Sequence, residues 1–128
     1  MKKTIVFAFS FLFSLMVLAS SVYDEVNAAF SAGSTEKLSA LLSSNVDLTL
    51  LTAEGAYSKV QTQQILKKFF AQHPPASFKM QHQGSSKEGS MYGIGLYKDT
   101  NGDTFRISFF LKQVNGQNLI RELRFEKE

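Results

Sequence analysis

The chain has 128 residues and no cysteine, with 14 Lys plus Arg against 11 Asp plus Glu, for a formal charge of +3. Without cysteine there are no disulfides, no thiolate chemistry and no zinc site built on Cys. The basic residues are scattered rather than gathered on one stretch, which argues against a nucleic-acid binder.

Residues 1–21 read as a cleaved secretory leader. Lys2 and Lys3 precede an apolar run from Ile5 to Leu18, broken only by Ser10 and Ser14. Ala19, Ser20 and Ser21 then supply the small residues a leader peptidase requires. A helix crossing a ~30 Å hydrocarbon core needs roughly 20 apolar residues, so no stable membrane anchor is expected after cleavage. The cut falls after Ala19 or after Ser21, and the residues leave both open. The expected location is outside the cytoplasm, periplasmic or secreted. Cleavage takes Lys2 and Lys3 from the 14 basic side chains, leaving 12 against 11 acidic.

Residues 22–128 are expected to form a single domain. Its core must hold without disulfides, and eight of the twelve Phe lie in this part of the chain. Val22–Ser31 reads as a helix, because Val22, Val26, Ala29 and Phe30 make one apolar stripe. Gly33 stops it, and Ser34 caps a short second helix carrying Leu38, Leu41 and Leu42. Asn45–Thr52 alternates as a half-buried strand, and Glu54-Gly55 reads as a turn. Ser58 and Gln61 then form a capping box. The helix it opens carries Ile65, Leu66, Phe69 and Phe70, and Pro74 and Pro75 end it.

From Ala76 the apolar period becomes two. Strands are expected at Ser77–Gly84, Ser90–Lys98, Thr104–Val114 and Gln117–Glu126. For the last hairpin, a two-residue Asn115-Gly116 loop would set Phe109 against Glu122, and a one-residue slip turns every side chain over. A three-residue loop, Val114-Asn115-Gly116, is expected instead. It pairs Leu111 with Leu119, Phe109 with Arg121, Ile107 with Leu123 and Phe105 with Phe125. For the preceding hairpin, a two-residue Asn101-Gly102 loop is expected. It sets Ile94 opposite Phe109 and Leu96 opposite Ile107, with Phe110 covering Gly93 on the outer face. The alternative three-residue loop turns Met91, Gly93, Gly95 and Tyr97 inward, where two glycines would leave a hollow.

Helices first and strands after argue for an α+β fold. The order of elements resembles the cone-shaped fold of nuclear-transport-factor-2-like (NTF2-like) proteins, within the cystatin-like superfamily. More specifically, the chain is similar to a family of small exported bacterial proteins classed as a domain of unknown function. The residues that carry the resemblance are Glu54-Gly55-Ala56-Tyr57-Ser58-Lys59, Ile65-Leu66-Lys67-Lys68-Phe69-Phe70, Pro74 and Phe78. To these belong His82-Gln83-Gly84-Ser85-Ser86-Lys87 and Leu123-Arg124-Phe125-Glu126. The resemblance implies N-terminal helices packed on a curved antiparallel sheet, and it brings no established chemistry.

Enzymes of this fold, such as ketosteroid isomerase, work inside the cone with an Asp or His base tuned by an apolar pocket. Here no carboxylate falls among the inward positions, so no catalytic residue is assigned. His82 shares a face with Phe78 and Met80 and is expected to point inward. His73, before Pro74, supports a helix end. Arg121 lies between Leu119 and Leu123 on the expected core face, where a buried charge needs a partner. It acts there as an anion clamp, reaches solvent or Asp47 or Glu25 at the mouth of the cone, or is turned outward by a bulge. Tyr57 and Tyr92 join Arg121, His82 and Met80 as ligand-pocket candidates, while Phe110 and Ile120 are apolar points for an interface on the outer sheet face. Asp99-Thr100-Asn101-Gly102-Asp103 begins like a calcium loop, but Thr104 and Phe110 stand where glycine and Glu are required. No metal and no cofactor is therefore expected.

Two non-catalytic roles follow from this reading: binding a small ligand in the cone, or docking a partner, including a second copy, through the sheet. The alternative is a ketosteroid-isomerase-like enzyme using His82 and Arg121.

Overall fold

The computed structural model describes residues 21–128; residues 1–20, on which the expected leader falls, lie outside the described part. The elements are α1 (Val22–Ala32), α2 (Thr35–Ser39), β1 (Leu42–Leu50), β2 (Ala53–Ser58), α3 (Lys59–Gln72), β3 (Pro75–Ser85), β4 (Met91–Asp99), β5 (Thr104–Val114) and β6 (Gln117–Lys127). They build an α+β cone of the NTF2-like kind: helices packed on one six-stranded, curved, unclosed sheet, in the order β2-β1-β6-β5-β4-β3. Neighbouring strands are antiparallel except β1 and β6, which run parallel.

Local chemistry sets the helix ends. Ser21 and Asp24 form a capping box on α1, and Ser58 and Gln61 form another on α3. Each satisfies two backbone donors that a helix start leaves free. Gly33 ends α1 in the left-handed conformation, and the N–H of Ser34 donates to the Ala29 carbonyl at 2.9 Å. No side chain would fit at Gly33, because Pro75 at the start of β3 lies 2.9 Å from where its Cβ would stand. α3 ends at Gln72, two residues before Pro74, with His73 as its C-cap.

The cone is filled by aromatic side chains. Phe30 from α1, Phe69 from α3, and Tyr97, Phe105, Phe109 and Phe125 from the sheet are at most 3 % exposed. Phe69 sits among them, with ring centroids 4.8 Å from Phe125, 5.2 Å from Phe105 and 5.5 Å from Tyr97. Val46, Leu48 and Leu50 on β1 and Leu123 on β6 complete the same face.

Five sequence expectations are corrected here. Glu54-Gly55 is not a turn: both residues lie in β2, and the turn is at Leu51-Thr52. β2 is an edge strand whose residues are exposed or half-buried, so it carries no apolar alternation to read. The β4–β5 register is the rejected alternative, with Gly93 opposite Phe109, Gly95 opposite Ile107 and Tyr97 opposite Phe105. The glycines leave no hollow, because the Phe109 ring fills the space at Gly93 and the Phe78 ring the space at Gly95. The third concerns the β5–β6 turn. It uses the two-residue Asn115-Gly116 loop, both residues at positive φ, the geometry that matches strand twist in a hairpin.

The fourth is the face of Arg121. The register shifts between Phe110 and Leu111, so that Leu111 pairs with Ile120 while Phe110 pairs with Glu122. Arg121 is the extra residue of this bulge, and an extra residue lets two successive side chains leave the core face. Arg121 is exposed as a result, Ile120 and Leu123 are both fully buried, and Phe109 faces Leu123. The same device corrects His82. A register shift between Met80 and His82 places His82 opposite Ile94, exposed, while Met80 stays packed against the core.

Candidate functional site

Three regions gather chemistry. The first lies where the C-terminus of α3 meets the β4–β5 loop. Asp99, 3 % exposed, ends β4 and folds its own loop: one carboxylate oxygen accepts the backbone N–H of Asn101 at 2.9 Å and of Asp103 at 2.8 Å. Its other oxygen meets His73 Nδ1 at 2.7 Å. The Asn101 side chain donates to the Gln72 carbonyl, the Thr100 N–H donates to the Pro74 carbonyl, and the Tyr97 hydroxyl donates to the His73 carbonyl. The His73 ring is wedged between Phe69 and Phe105, with centroids 5.0 and 4.9 Å away.

Burial by itself would raise the Asp99 pKa. The hydrogen bonds from His73 and from the N–H groups of Asp103 and Asn101 outweigh it and hold the carboxyl below the usual carboxylate range. Tyr97 is pushed the other way, first by burial and then by the Asp99 charge, so it stays a protonated donor. His73, Asp99 and Asp103 place ligand atoms within 4.8 Å of one another and could hold a metal ion. The spacing of His73 and Asp99 is that of a direct hydrogen bond. Two ligands of a tetrahedral zinc stand about 3.3 Å apart, given bonds of about 2.0 Å, whereas Nδ1 and the Asp99 oxygen are 2.7 Å apart.

A pH dependence follows. The folded Asp99 carboxyl titrates below its unfolded value of about 3.9, so its contribution is complete above about pH 4 and is lost as pH falls through the folded pKa. Urea midpoints of wild type and Asp99→Asn are expected to differ clearly at pH 7 and to converge as the pH falls through the lowered pKa of the folded carboxyl. A constant gap would show that the charge on Asp99 contributes nothing.

The second region is the outer face of the sheet. Tyr92 and Phe110 pair across β4 and β5, are 40 % and 45 % exposed, and stand with ring centroids 6.3 Å apart. The Tyr92 ring lies over Gly84 of β3. Ile94 and Leu96, half-buried, continue the stripe along β4. Around it the β3–β5 half of the face carries Lys79, Lys98 and Arg106, opposite Leu96, Thr104 and Leu96 respectively. The other half carries Glu122 and Glu126 on β6, Asp47 on β1 and Glu54 on β2, with Arg124 among them bridging Glu122 at 3.4 Å.

The third region is an open groove of about 680 Å³ between α1, α2 and the start of β6. Val22, Ala28, Ala40, Leu41 and Leu119 form its apolar lining, with Glu25 and Lys37 at its sides.

Comparison with known proteins places this architecture. Residues 23–126 match the family described as "Domain of unknown function (DUF4783)". The chain belongs to the DUF4783 family. A DUF4783 crystal structure from Bacteroides ovatus is 33% identical, covering 81% of this chain and 93% of its own, with a TM-score of 0.76. Another from Bacteroides uniformis is 27% identical, covering 84% and 98%, with a TM-score of 0.79. An NTF2-like protein of unknown function from Shewanella baltica, 13% identical over 84% and 88%, shares the fold with a TM-score of 0.62. No protein with a curated description matches the chain.

In this DUF4783 chain the five ligand-pocket candidates are not brought together. Tyr92 and His82 lie on the outer face, and Arg121 is exposed at its bulge. Tyr57 is half-buried on β2 beside a shallow depression lined by Val60, Gln61, Gln64 and Ile65 on α3. None of the five lines the groove. Of the two interface candidates, Phe110 is on the outer face, and Ile120 is buried, the residue before the bulge being held inward. Sequence reading assigned His73 to a helix end and missed its tie to Asp99. The signal was present: Asp-Thr-Asn-Gly-Asp is a side-chain-organised turn, and His73 precedes the proline that delivers the chain to the neighbouring strand.

Proposed function

We propose that this DUF4783 domain is an exported, non-catalytic association module, in which the outer sheet face packs on the same face of a second copy. The observation that carries this reading is the exposed Tyr92–Phe110 pair on β4 and β5, within the basic half of a face divided by charge. A two-fold axis running along the strands would set the Lys79, Lys98 and Arg106 half of one copy over the Glu122, Glu126, Asp47 and Glu54 half of the other. Exposed aromatic anchors framed by complementary charge are what such self-complementary contacts use.

Two further points support a non-catalytic role. The cone interior is occupied by Phe30, Phe69, Tyr97, Phe105 and Phe109. Among the described residues the buried carboxyl, Asp99, has both oxygens engaged by His73 and loop N–H groups. A small ligand would therefore use the groove outside the cone rather than its interior.

Sedimentation equilibrium tests the proposal. Wild type is expected to dimerise in a concentration-dependent way. Phe110→Lys is expected to weaken the dimer roughly 30-fold or more, as loss of an aromatic anchor does, with an unchanged melting temperature at concentrations where both proteins are monomeric, because Phe110 is outside the core. Wild type remaining monomeric into the high micromolar range would sink this reading.

A further inference from the structure

The strand register orders the outer face into rows as well as into halves. We infer that self-association through this face takes up protons, with a protonated His82 of each copy facing Glu54 of the other. This rests on the association proposed above and adds its regulation by pH.

The row that carries the inference crosses the whole sheet. His82 on β3 stands opposite Ile94, Ile94 opposite Ser108 and Ser108 opposite Arg124. Arg124 stands opposite Thr49, and Thr49 opposite Glu54 on β2. Opposed residues of neighbouring strands point to one face, so His82 and Glu54 are the two ends of one outer-face row, and both are exposed. The next row runs from Gly84 through Tyr92, Phe110, Glu122 and Asp47 to Ala56. A two-fold axis along the strands, between β6 and β5 at the middle of the sheet, exchanges the ends of every row and keeps its position along the strands. It lays His82 over Glu54 of the other copy, twice by symmetry, and Tyr92 over Asp47.

Within its own chain His82 has basic neighbours. Lys79 follows the same face of β3, Lys98 and Tyr92 lie on β4, and Arg106 lies on β5. α1 packs behind β3, where Tyr23 donates to the Gly84 carbonyl, and its Asp24 and Glu25 are on that side of the sheet. Lys87 and Glu88 are in the β3–β4 loop beyond Ser85, about 10 Å or more along the strand from His82. Its own Glu54 is five strand spacings away, about 24 Å along the sheet. Both distances exceed the ~8 Å over which exposed charges act at physiological ionic strength. Histidine gains its charge between about pH 8 and pH 5. That charge stands beside Lys79 in the single copy and over a carboxylate in the pair, so falling pH favours the pair. The chain's other histidine, His73, is held between Phe69 and Phe105 on the core side in either state.

Sedimentation equilibrium at about pH 8 and about pH 5.5, the lower value still above the ordinary carboxylate range, tests this at one fixed ionic strength. The wild-type dimer is expected to be roughly tenfold tighter at the lower pH, the effect of two exposed ion pairs. His82→Gln and Glu54→Gln are each expected to dimerise equally at both values. His82→Lys carries its charge throughout and is expected to dimerise at the higher pH as tightly as wild type does at the lower. Three results overturn this inference and leave the association standing: a wild-type dimer no tighter at the lower pH, a tightening that survives either Gln substitution, or His82→Lys no tighter than wild type at the higher pH. Wild type that stays monomeric at both values into the high micromolar range overturns the association with it.

Discussion

Phe69→Ala is expected to destabilise the domain by about 3–5 kcal/mol, the range for deleting a large buried aromatic side chain. Phe69 is 2 % exposed and joins the helical layer to the sheet. Its ring lies within 6 Å of Phe70, His73, Tyr97, Phe105 and Phe125, centroid to centroid. Truncation removes transfer energy and leaves a cavity under three strands, none of which can collapse into it without pulling on the sheet. Domains of this size are stable by about 5–15 kcal/mol in total, so a large share of the native population is at stake at physiological temperature. Urea unfolding followed by tyrosine fluorescence or circular dichroism measures the loss. Phe69→Leu, which keeps much of the volume, is expected to lose less than half as much. A loss below about 1 kcal/mol for Phe69→Ala would mean that the centre of the cone is not packed as described.

The second large effect is at two glycines. Adding a Cβ at Gly95 would place it 2.3 Å from the Phe78 ring and 3.0 Å from the Lys79 carbonyl, and at Gly93 it would stand 2.2 Å from the Phe109 ring. Phe109 is fully buried and Phe78 is 6 % exposed, so neither ring has solvent to swing into. Overpacking of this kind costs about 1–3 kcal/mol per site. Gly95→Ala and Gly93→Ala are each expected to fall in or above that range, measured by urea midpoint.

The sign of this effect is diagnostic. In the register with Ile94 and Leu96 inward, both glycines would face outward, where alanine is neutral or stabilises a strand by about 0.5–1 kcal/mol. Destabilisation therefore reports the register as well as the contact. Shortening the clashing ring should give part of the stability back: Gly95→Ala combined with Phe78→Leu is expected to be more stable than the sum of the two single losses. Strict additivity would show that ring and glycine do not touch.

The glycines also explain how a filled cone arises from a face that looks defective in sequence. A strand carrying Gly93 and Gly95 inward has no side chains of its own to contribute at two positions. Rings from Phe109 on β5 and Phe78 on β3 lean across and occupy the vacated space. Tyr92 does the same over Gly84 on the outer face. Each glycine is thus a seat for an aromatic ring from the adjoining strand, in the manner of aromatic rescue. Sequence reading expected the pairing of Phe110 with Gly93 by the same principle, and the structure uses Phe109 there instead.

What was legible in the sequence is what depends on near neighbours along the chain. Ser34, Ser58 with Gln61, Gly33 and the Pro74-Pro75 pair mark helix ends through bonds or clashes within four residues, and all act at those places. The strand positions from Ala76 onward follow from apolar alternation, and β5 has the bounds expected of it. The class and the family of the fold were legible for the same reason, since they rest on the order of such elements. Residues distant in sequence decided the rest. β2 carries no apolar period because it is an edge, and only pairing with β1 makes it a strand. The bulges at Gln81 and Arg121 add one residue to a ladder without changing any local signal, yet each turns a charged or titratable side chain from the core to the solvent. Their cause is the partner strand: Phe109 requires Leu123 opposite it, and an unbroken ladder from the Asn115-Gly116 turn would supply Glu122. The energy of burying one apolar pair instead of a charge exceeds that of one interrupted hydrogen-bond step, and that balance exists only once the sheet has formed.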